Sequence, residues 1–360
     1  MRRSFFAAVS FSPLLLLSLV GLACAQAPEA PRLSGPFVHA NLAVFFIHGR
    51  SAPGKVPLTL DEAMARGIAK VRETSNVNEL EIENVGDDEV FVQAGDIVKG
   101  GQQDRTLMVS LVLPPKSGRI PIASFCVEEG RWSARGREDA KSFSSASAAV
   151  PSREMKLAMK APMPAALDAG AGSGRPVRAA AGETSQRQQQ VWENVRKTQT
   201  LLSGSLGAQV RARQSASSLQ LALENERLMD AQQAYRDALQ SAGEKNTDIV
   251  GFVFAVNGEL NSADVYPSNG LFRKMWPKLL TAAAIEAIGH RNQPMVAQPS
   301  TEAAASFLAS AEKGASSARA LAAGTSVETR EADKAYLFET ARAAGPGTPA
   351  AWVHRNYLAK

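Results

Sequence analysis

Two short stretches concentrate the residue types that could do chemistry. In the first, Gly100-Gly101 precede Gln102-Gln103-Asp104-Arg105, which run directly into the apolar stretch Thr106–Leu113. A glycine pair permits backbone conformations closed to other residues. Strand alternation from Arg105 puts Gln103 and Arg105 on the face of Leu107, Val109, Leu111 and Leu113. An amide and a guanidinium at the rim of a core face need polar partners. The second stretch, Phe125-Cys126-Val127-Glu128-Glu129-Gly130-Arg131-Trp132, supplies acids. Cys126 and Glu128 share one strand face, and Gly130 allows a turn that presents Arg131 and Trp132. Arginine forks onto oxyanions, and an indole face takes a planar or cationic group.

Gly100, Gly101, Gln102, Gln103, Asp104, Arg105, Arg131 and Trp132 therefore suit a pocket for an anionic small molecule. The same residues equally suit an Arg105–Glu128 pair that locks two strands together, with Trp132 filling the core. As a catalyst, the cluster would use Glu128 as acid/base and Cys126 as nucleophile. That thiol needs a base and a lowered pKa, and His48 would have to be brought to it by the fold. Familiar catalytic patterns are missing: there is no G-x-S-x-G, P-loop, H-E-x-x-H or G-x-G-x-x-G after a strand. His39, His48, His290 and His354 lie far apart without ligand spacing, so the sequence supports no metal site and calls for no cofactor.

The elements that must position these residues read as short antiparallel strands. Val44–Ile47 is an apolar strand, and Thr59-Leu60-Asp61-Glu62 has the form of a capping box that opens a short helix ending at Gly67. Ile68–Glu73 reads as extended, and Leu80 and Ile82 alternate with Glu79, Glu81 and Glu83. Val90–Gln93, Thr106–Leu113 and Ile120–Val127 continue the meander. Residues 133–182 are rich in Ser, Ala, Gly and Pro and lack an apolar period, which predicts a long disordered insertion.

Helical spacing returns at Thr184. Val191, Val195, Thr198 and Leu202 form one stripe, and Leu221, Leu228, Ala231, Tyr235 and Leu239 a second, so a helical hairpin broken around Ser203–Ser217 is expected. Ile249–Val256 and the Asn257-Gly258 turn indicate a β-hairpin. Leu271–Ile288 reads as helical with Pro277 near its start. Residues 298–325 are Ala/Ser-rich, and Thr329–Thr340 and Trp352–Leu358 close the chain as strands. The fold class is α+β: an antiparallel β-rich core with a disordered insertion and an inserted helical pair. One discontinuous globular domain is expected over 37–132 and 184–290, followed by a C-terminal segment at 298–360.

The N-terminus predicts export. Arg2 and Arg3, an apolar run from Phe5 to Leu22 and Ala23-Cys24-Ala25 have the order of a cleavable signal peptide over residues 1–25, with Gln26 as the first mature residue. The mature chain is then periplasmic or extracellular, with no membrane span. Cleavage removes two arginines and no acids, lowering the net charge from +5 to +3. So mild a charge, without a basic stripe, argues against nucleic acid as a partner. Only Cys126 then remains, so no intramolecular disulfide forms.

Leu80–Arg105 (L-E-I-E-N-V-G-D-D-E-V-F-V-Q-A-G-D-I-V-K-G-G-Q-Q-D-R), followed by C-V-E-E-G-R-W at Cys126–Trp132, resembles the family named for association with ADP-ribosylglycohydrolase and rhodanese/phosphatase proteins. Gly251–Tyr266 and Leu271–Leu280 extend that resemblance, which covers about residues 40–290 discontinuously. It implies a link to NAD and ADP-ribose metabolism and carries over no defined reaction. The matching positions are Gly100, Gly101, Gln102, Asp104, Arg105, Cys126, Glu128, Arg131 and Trp132. Three functional readings remain open: a binding or regulatory domain for an anionic, nucleotide-like molecule; an enzyme acting on one; and an envelope interaction module that uses the helical pair.

Overall fold

Alternation along one strand organises most of the molecule. In β2 (Leu42–His48), Leu42, Val44 and Phe46 enter one hydrophobic cluster, while Ala43, Phe45 and Ile47 enter another on the opposite face. Both faces are covered, so the strand reads as a continuous apolar run. A computed structural model describes residues 32–160, 177–344 and 350–360, with side chains of the helix beginning at Val177 described from Thr184 onward. The expected signal peptide, with its cleavage before Gln26, lies outside the described residues.

The larger sheet is antiparallel with eight strands. Its order is β1 (Arg32–His39), β2, β12 (Ile249–Val256), β13 (Glu259–Val265), β17 (Ala351–Ala359), β16 (Ala335–Arg342), β15 (Thr325–Glu331) and β14 (Ala315–Ala320). Asn257 and Gly258, both at positive φ (53° and 85°), make the β12–β13 turn as expected. The C-terminal strands therefore belong to the same sheet as β2 and do not form an appended segment.

A second, six-stranded sheet has the order β11 (Phe143–Ala149), β7 (Asp96–Gly100), β8 (Arg105–Leu107), β10 (Gly118–Cys126), β5 (Glu79–Asn84) and β4 (Ala69–Glu73). The Arg72–Ser142 bridge and a Glu73 N–H to Lys141 carbonyl bond of 3.1 Å link its two edge strands. Its interior holds Val71, Leu80, Ile82, Val98, Leu107 and Ile122. A three-stranded sheet, β3 (Leu58–Thr59), β6 (Val90–Val92) and β9 (Leu111–Leu113), shares that core. Helix α1 (Leu60–Ala65) starts at the expected capping box, with reciprocal Thr59–Glu62 bonds of 3.2 and 2.9 Å.

Three expectations need correction. Thr106–Leu113 is not one strand: the chain leaves the six-stranded sheet after Leu107 and enters the three-stranded sheet at Leu111. Periodicity cannot show that break, because both halves are apolar. The insertion is ordered in part, since β11 pairs with β7 and α2 (Arg153–Lys160) buries Met155 and Met159. Residues 161–176 of it lie outside the described residues. The helical pair is not a simple hairpin. Helices α3 (Val177–Leu206) and α5 (Glu226–Glu244) pack chiefly on α6 (Asn269–His290), and Leu221 belongs to the separate short α4 (Leu219–Leu223). Their stripe residues Val191, Val195, Leu202, Leu228, Tyr235 and Leu239 are buried in the core. Helix α7 (Thr301–Glu312) covers the other sheet face through Phe307 and Leu308. No helix among the described residues is long and apolar enough to cross a membrane.

Candidate functional site

The two stretches singled out by residue type do come together, at the β8–β10 end of the six-stranded sheet, where Arg105 and Cys126 are register partners. Their side chains form a buried acid–arginine network. The fully buried Asp104 carboxylate accepts from the Gly100 N–H at 3.0 Å, the Ser218 hydroxyl at 2.8 Å and both terminal nitrogens of Arg135 at 3.0 and 3.1 Å. Glu128, also fully buried, accepts from the Asp104 N–H at 3.1 Å and pairs with Arg131 at 2.7 Å and Arg135 at 3.3 Å. Burial works to raise the Glu128 pKa. The bonds from Arg131 and Ser215, the Asp104 N–H and the Arg131 charge outweigh it and hold the carboxyl below its usual range.

Arg105 and Glu128 are not the pair that spacing anticipated. Arg105 is completely buried, donates to Gln103 Oε1 at 3.0 Å and Cys126 Sγ at 2.7 Å, and meets Glu73 at 3.4 Å. Its guanidinium carbon lies 5.6 Å from the centroid of Trp132, whose ring is half exposed. Arg131 is occupied by Glu128 and by the carbonyls of Gly100 and Gly101 at 3.1 Å each. Gln102 is partly buried, and its Oε1 has no partner among the described residues.

The glycine pair serves packing. A Cβ on Gly101, at φ +54°, would stand 2.3 Å from the Phe143 ring of β11. Cys126 is equally committed: its N–H and carbonyl bond the Gln188 amide at 2.9 and 2.8 Å. Burial pushes its thiol up to about 11, the Arg105 charge opposing, so it stays protonated at neutral pH. His48, the base considered for it, bonds Asp248 at 2.9 Å and Ser34 at 2.7 Å instead.

A different cluster faces a cavity. Where the chain changes sheets at Met108-Val109-Ser110, a cavity of about 310 Å³ opens between that break, the end of α2 and strands β14 to β17. Ser110 Oγ lies 2.9 Å from His354 Nδ1, and His354 Nε2 lies 3.0 Å from Asp264 Oδ1. Asp264 on β13 is the register partner of Asn356 on β17, whose Nδ2 donates to Asp264 Oδ1 at 2.8 Å. His354, two residues earlier, projects from the same face of β17. Tyr266 stacks on the imidazole at a 5.1 Å centroid distance, and Phe91 meets it edge-on at 5.9 Å. Ser110 Oγ also accepts the Ala94 N–H at 3.0 Å.

The charge states follow from these contacts. Burial pushes the His354 pKa down against the pull of Asp264. Burial also works to raise Asp264, but the His354 bond and charge and the nearby Lys156 and Lys160 hold it below its usual value. An ionised Asp264 can only accept, so His354 carries its proton on Nε2 and turns the Nδ1 lone pair towards the Ser110 hydroxyl. So arranged, a carboxylate orients an imidazole that can take a proton from a serine hydroxyl, with the two ring nitrogens exchanged relative to the common form of such a chain.

Residues 31–358 match the family model of the ARG and Rhodanese-Phosphatase-superfamily-associated Protein domain. The chain belongs to that family. No curated protein and no solved structure compared with it matches. Both the acid–arginine network and the cavity of this ARPP-domain protein fall within the matched span, including the strands beyond residue 298. Among the described residues, no group of three or more His, Cys, Asp or Glu side chains is placed to hold a metal ion.

The network of this ARPP domain is legible in the sequence except for Arg135, which lies inside the expected insertion; the cavity is not legible there at all. By its pattern Ser110 is one position in the continuous apolar run Thr106–Leu113. Asp264 lies within Gly251–Tyr266, part of the family resemblance, but nothing in the sequence marks it as a functional acid. His354 was one of four isolated histidines. The H-x-N spacing of His354 and Asn356 on one strand face was the only local sign, and without the fold it points to no partner.

Proposed function

We propose that the protein is an acyl-transfer enzyme, a hydrolase of small esters or thioesters, with Ser110 as nucleophile, His354 as general base and acid, and Asp264 as the group that orients His354. The observation that carries this reading is the Ser110–His354–Asp264 chain of 2.9 and 3.0 Å contacts at a cavity of metabolite size. Ser110 Oγ adds to the acyl carbon while its proton passes to His354 Nδ1. His354 returns that proton to the departing alcohol or thiol, leaving an acyl-serine. A water, deprotonated by the same nitrogen, then releases the acid and regenerates the hydroxyl.

The small-ligand class anticipated from the sequence is kept, but its place moves from Arg105 and Arg131 to this cavity. The arginines are occupied by buried carboxylates, whereas the cavity has room. Turnover of 4-nitrophenyl acyl esters that disappears in Ser110→Ala, with the melting transition retained, would support the assignment. Equal turnover by Ser110→Ala would refute it. We also propose that the enzyme acts after export, on the strength of the tripartite pattern of residues 1–25.

A further inference from the structure

The same cavity carries an amine without an acid. Lys160, the last residue of α2, lines it together with Ser110, His354 and Asn356. Its Nζ donates to Asn356 Oδ1 and lies 5.2 Å from the centroid of Phe338. No carboxylate among the described residues reaches it as an ion pair; Asp264 influences it through space and is itself spent on His354 and Asn356. An ammonium has three donors, and Asn356 takes one of them. Lys160, Asn356, Asp264, His354 and Ser110 thus form one continuous polar chain that begins at a cation and ends at a hydroxyl.

Charges in apolar surroundings are normally paired, and this lysine has the polarity and place to be paired by a ligand. We propose that Lys160 is a specificity-determining residue that holds a carboxylate or phosphate group of the substrate, so that Ser110 acts on anionic esters in preference to neutral ones. The assignment of the reaction rests on the Ser110 reading above; the anion anchor does not. Burial and the neighbouring Lys156 push the Lys160 ammonium down to about 7, with Asp264 pulling the other way. The free cavity therefore gives up its positive charge near neutrality, and an arriving anion draws a proton back onto Lys160.

The test compares 4-nitrophenyl butyrate with the 4-nitrophenyl monoester of glutaric acid, using the full mature chain. A charge-assisted hydrogen bond is worth about 1.5–3 kcal/mol, which corresponds to roughly ten- to a hundredfold in kcat/KM. The monoester should be preferred by that factor below pH 7, and the preference should shrink as pH rises through 7. In Lys160→Met the ratio should collapse towards one, and Lys160→Arg should keep part of it. Equal kcat/KM for the two esters in the wild type overturns the anchor while leaving the nucleophile intact. Hydrolysis of neither ester overturns the nucleophile, and calorimetry with free glutarate and inorganic phosphate then decides the anchor separately. Binding that is present in the wild type and weakened in Lys160→Met supports it, and no binding of either anion by the wild type overturns it. Whichever anion binds more tightly distinguishes the carboxylate from the phosphate.

Discussion

Ser110 Oγ and His354 Nδ1 stand 2.9 Å apart although 244 residues separate them in the chain. Two features create that contact. The chain changes sheets across Met108–Ser110, which takes Ser110 out of the strand ladder, and β17 places His354 beside the break. Asp264, from the strand next to β17, completes the line.

The acid–arginine network should be structural. Arg135→Met leaves Asp104 and Glu128 buried with one guanidinium fewer, and breaking such a pair costs about 3–5 kcal/mol. Urea unfolding should show that loss with an unchanged slope. A loss below about 1 kcal/mol, typical of exposed pairs, would mean the network is not closed in solution.

Cys126→Ser should retain the serine-dependent turnover. The thiol is pushed up to about 11 and bonded to Arg105, so it supplies no thiolate at neutral pH. Loss of turnover in a folded Cys126→Ser variant would return Cys126 to the reaction.

The pH profile of turnover should have an acid limb below the ordinary imidazole value of about 6.5, because burial lowers the His354 pKa. The rate should fall as pH drops through that lowered value and stay level above it until other groups titrate. Stability has the same sign. The unfolded chain takes up a proton near pH 6.5, where folded His354 does not, so stability declines as pH falls below about 6.5. Asp264, also lowered, contributes stability above its unfolded pKa that disappears as pH falls through its folded one. An acid limb above 6.5 would contradict this assignment of the base.

Export should yield a mature chain that starts at Gln26. Edman or mass analysis of protein recovered from a secreting host would show it, and retention of Met1 or acylation of Cys24 would refute it.

Much of the fold was legible because local rules acted alone. Thr59 and Glu62 cap α1, Asn257-Gly258 turns β12 into β13, and the stripe from Val191 to Leu202 marks a buried helix face. Two kinds of feature escaped. Order in Phe143–Ala149 depends on pairing with β7 and on the space left by Gly101, and Arg135 is held by Asp104 and Glu128, which the fold of β8 and β10 brings together beside it. Composition records neither. The Ser110 site escaped because its three members come from a sheet break and two neighbouring strands, so nothing in their spacing along the chain reports their convergence.

The most direct test of the central claim is the site at which a fluorophosphonate attaches. The wild-type protein, treated at pH 7.5 and digested, should carry the phosphonyl group on the peptide containing Ser110. Ser110→Ala should take up none, and His354→Gln should react at least about a hundredfold more slowly, the range expected when a general base is lost. Phosphonylation at another residue, or none in a folded wild-type protein, would contradict the assignment of Ser110 as nucleophile.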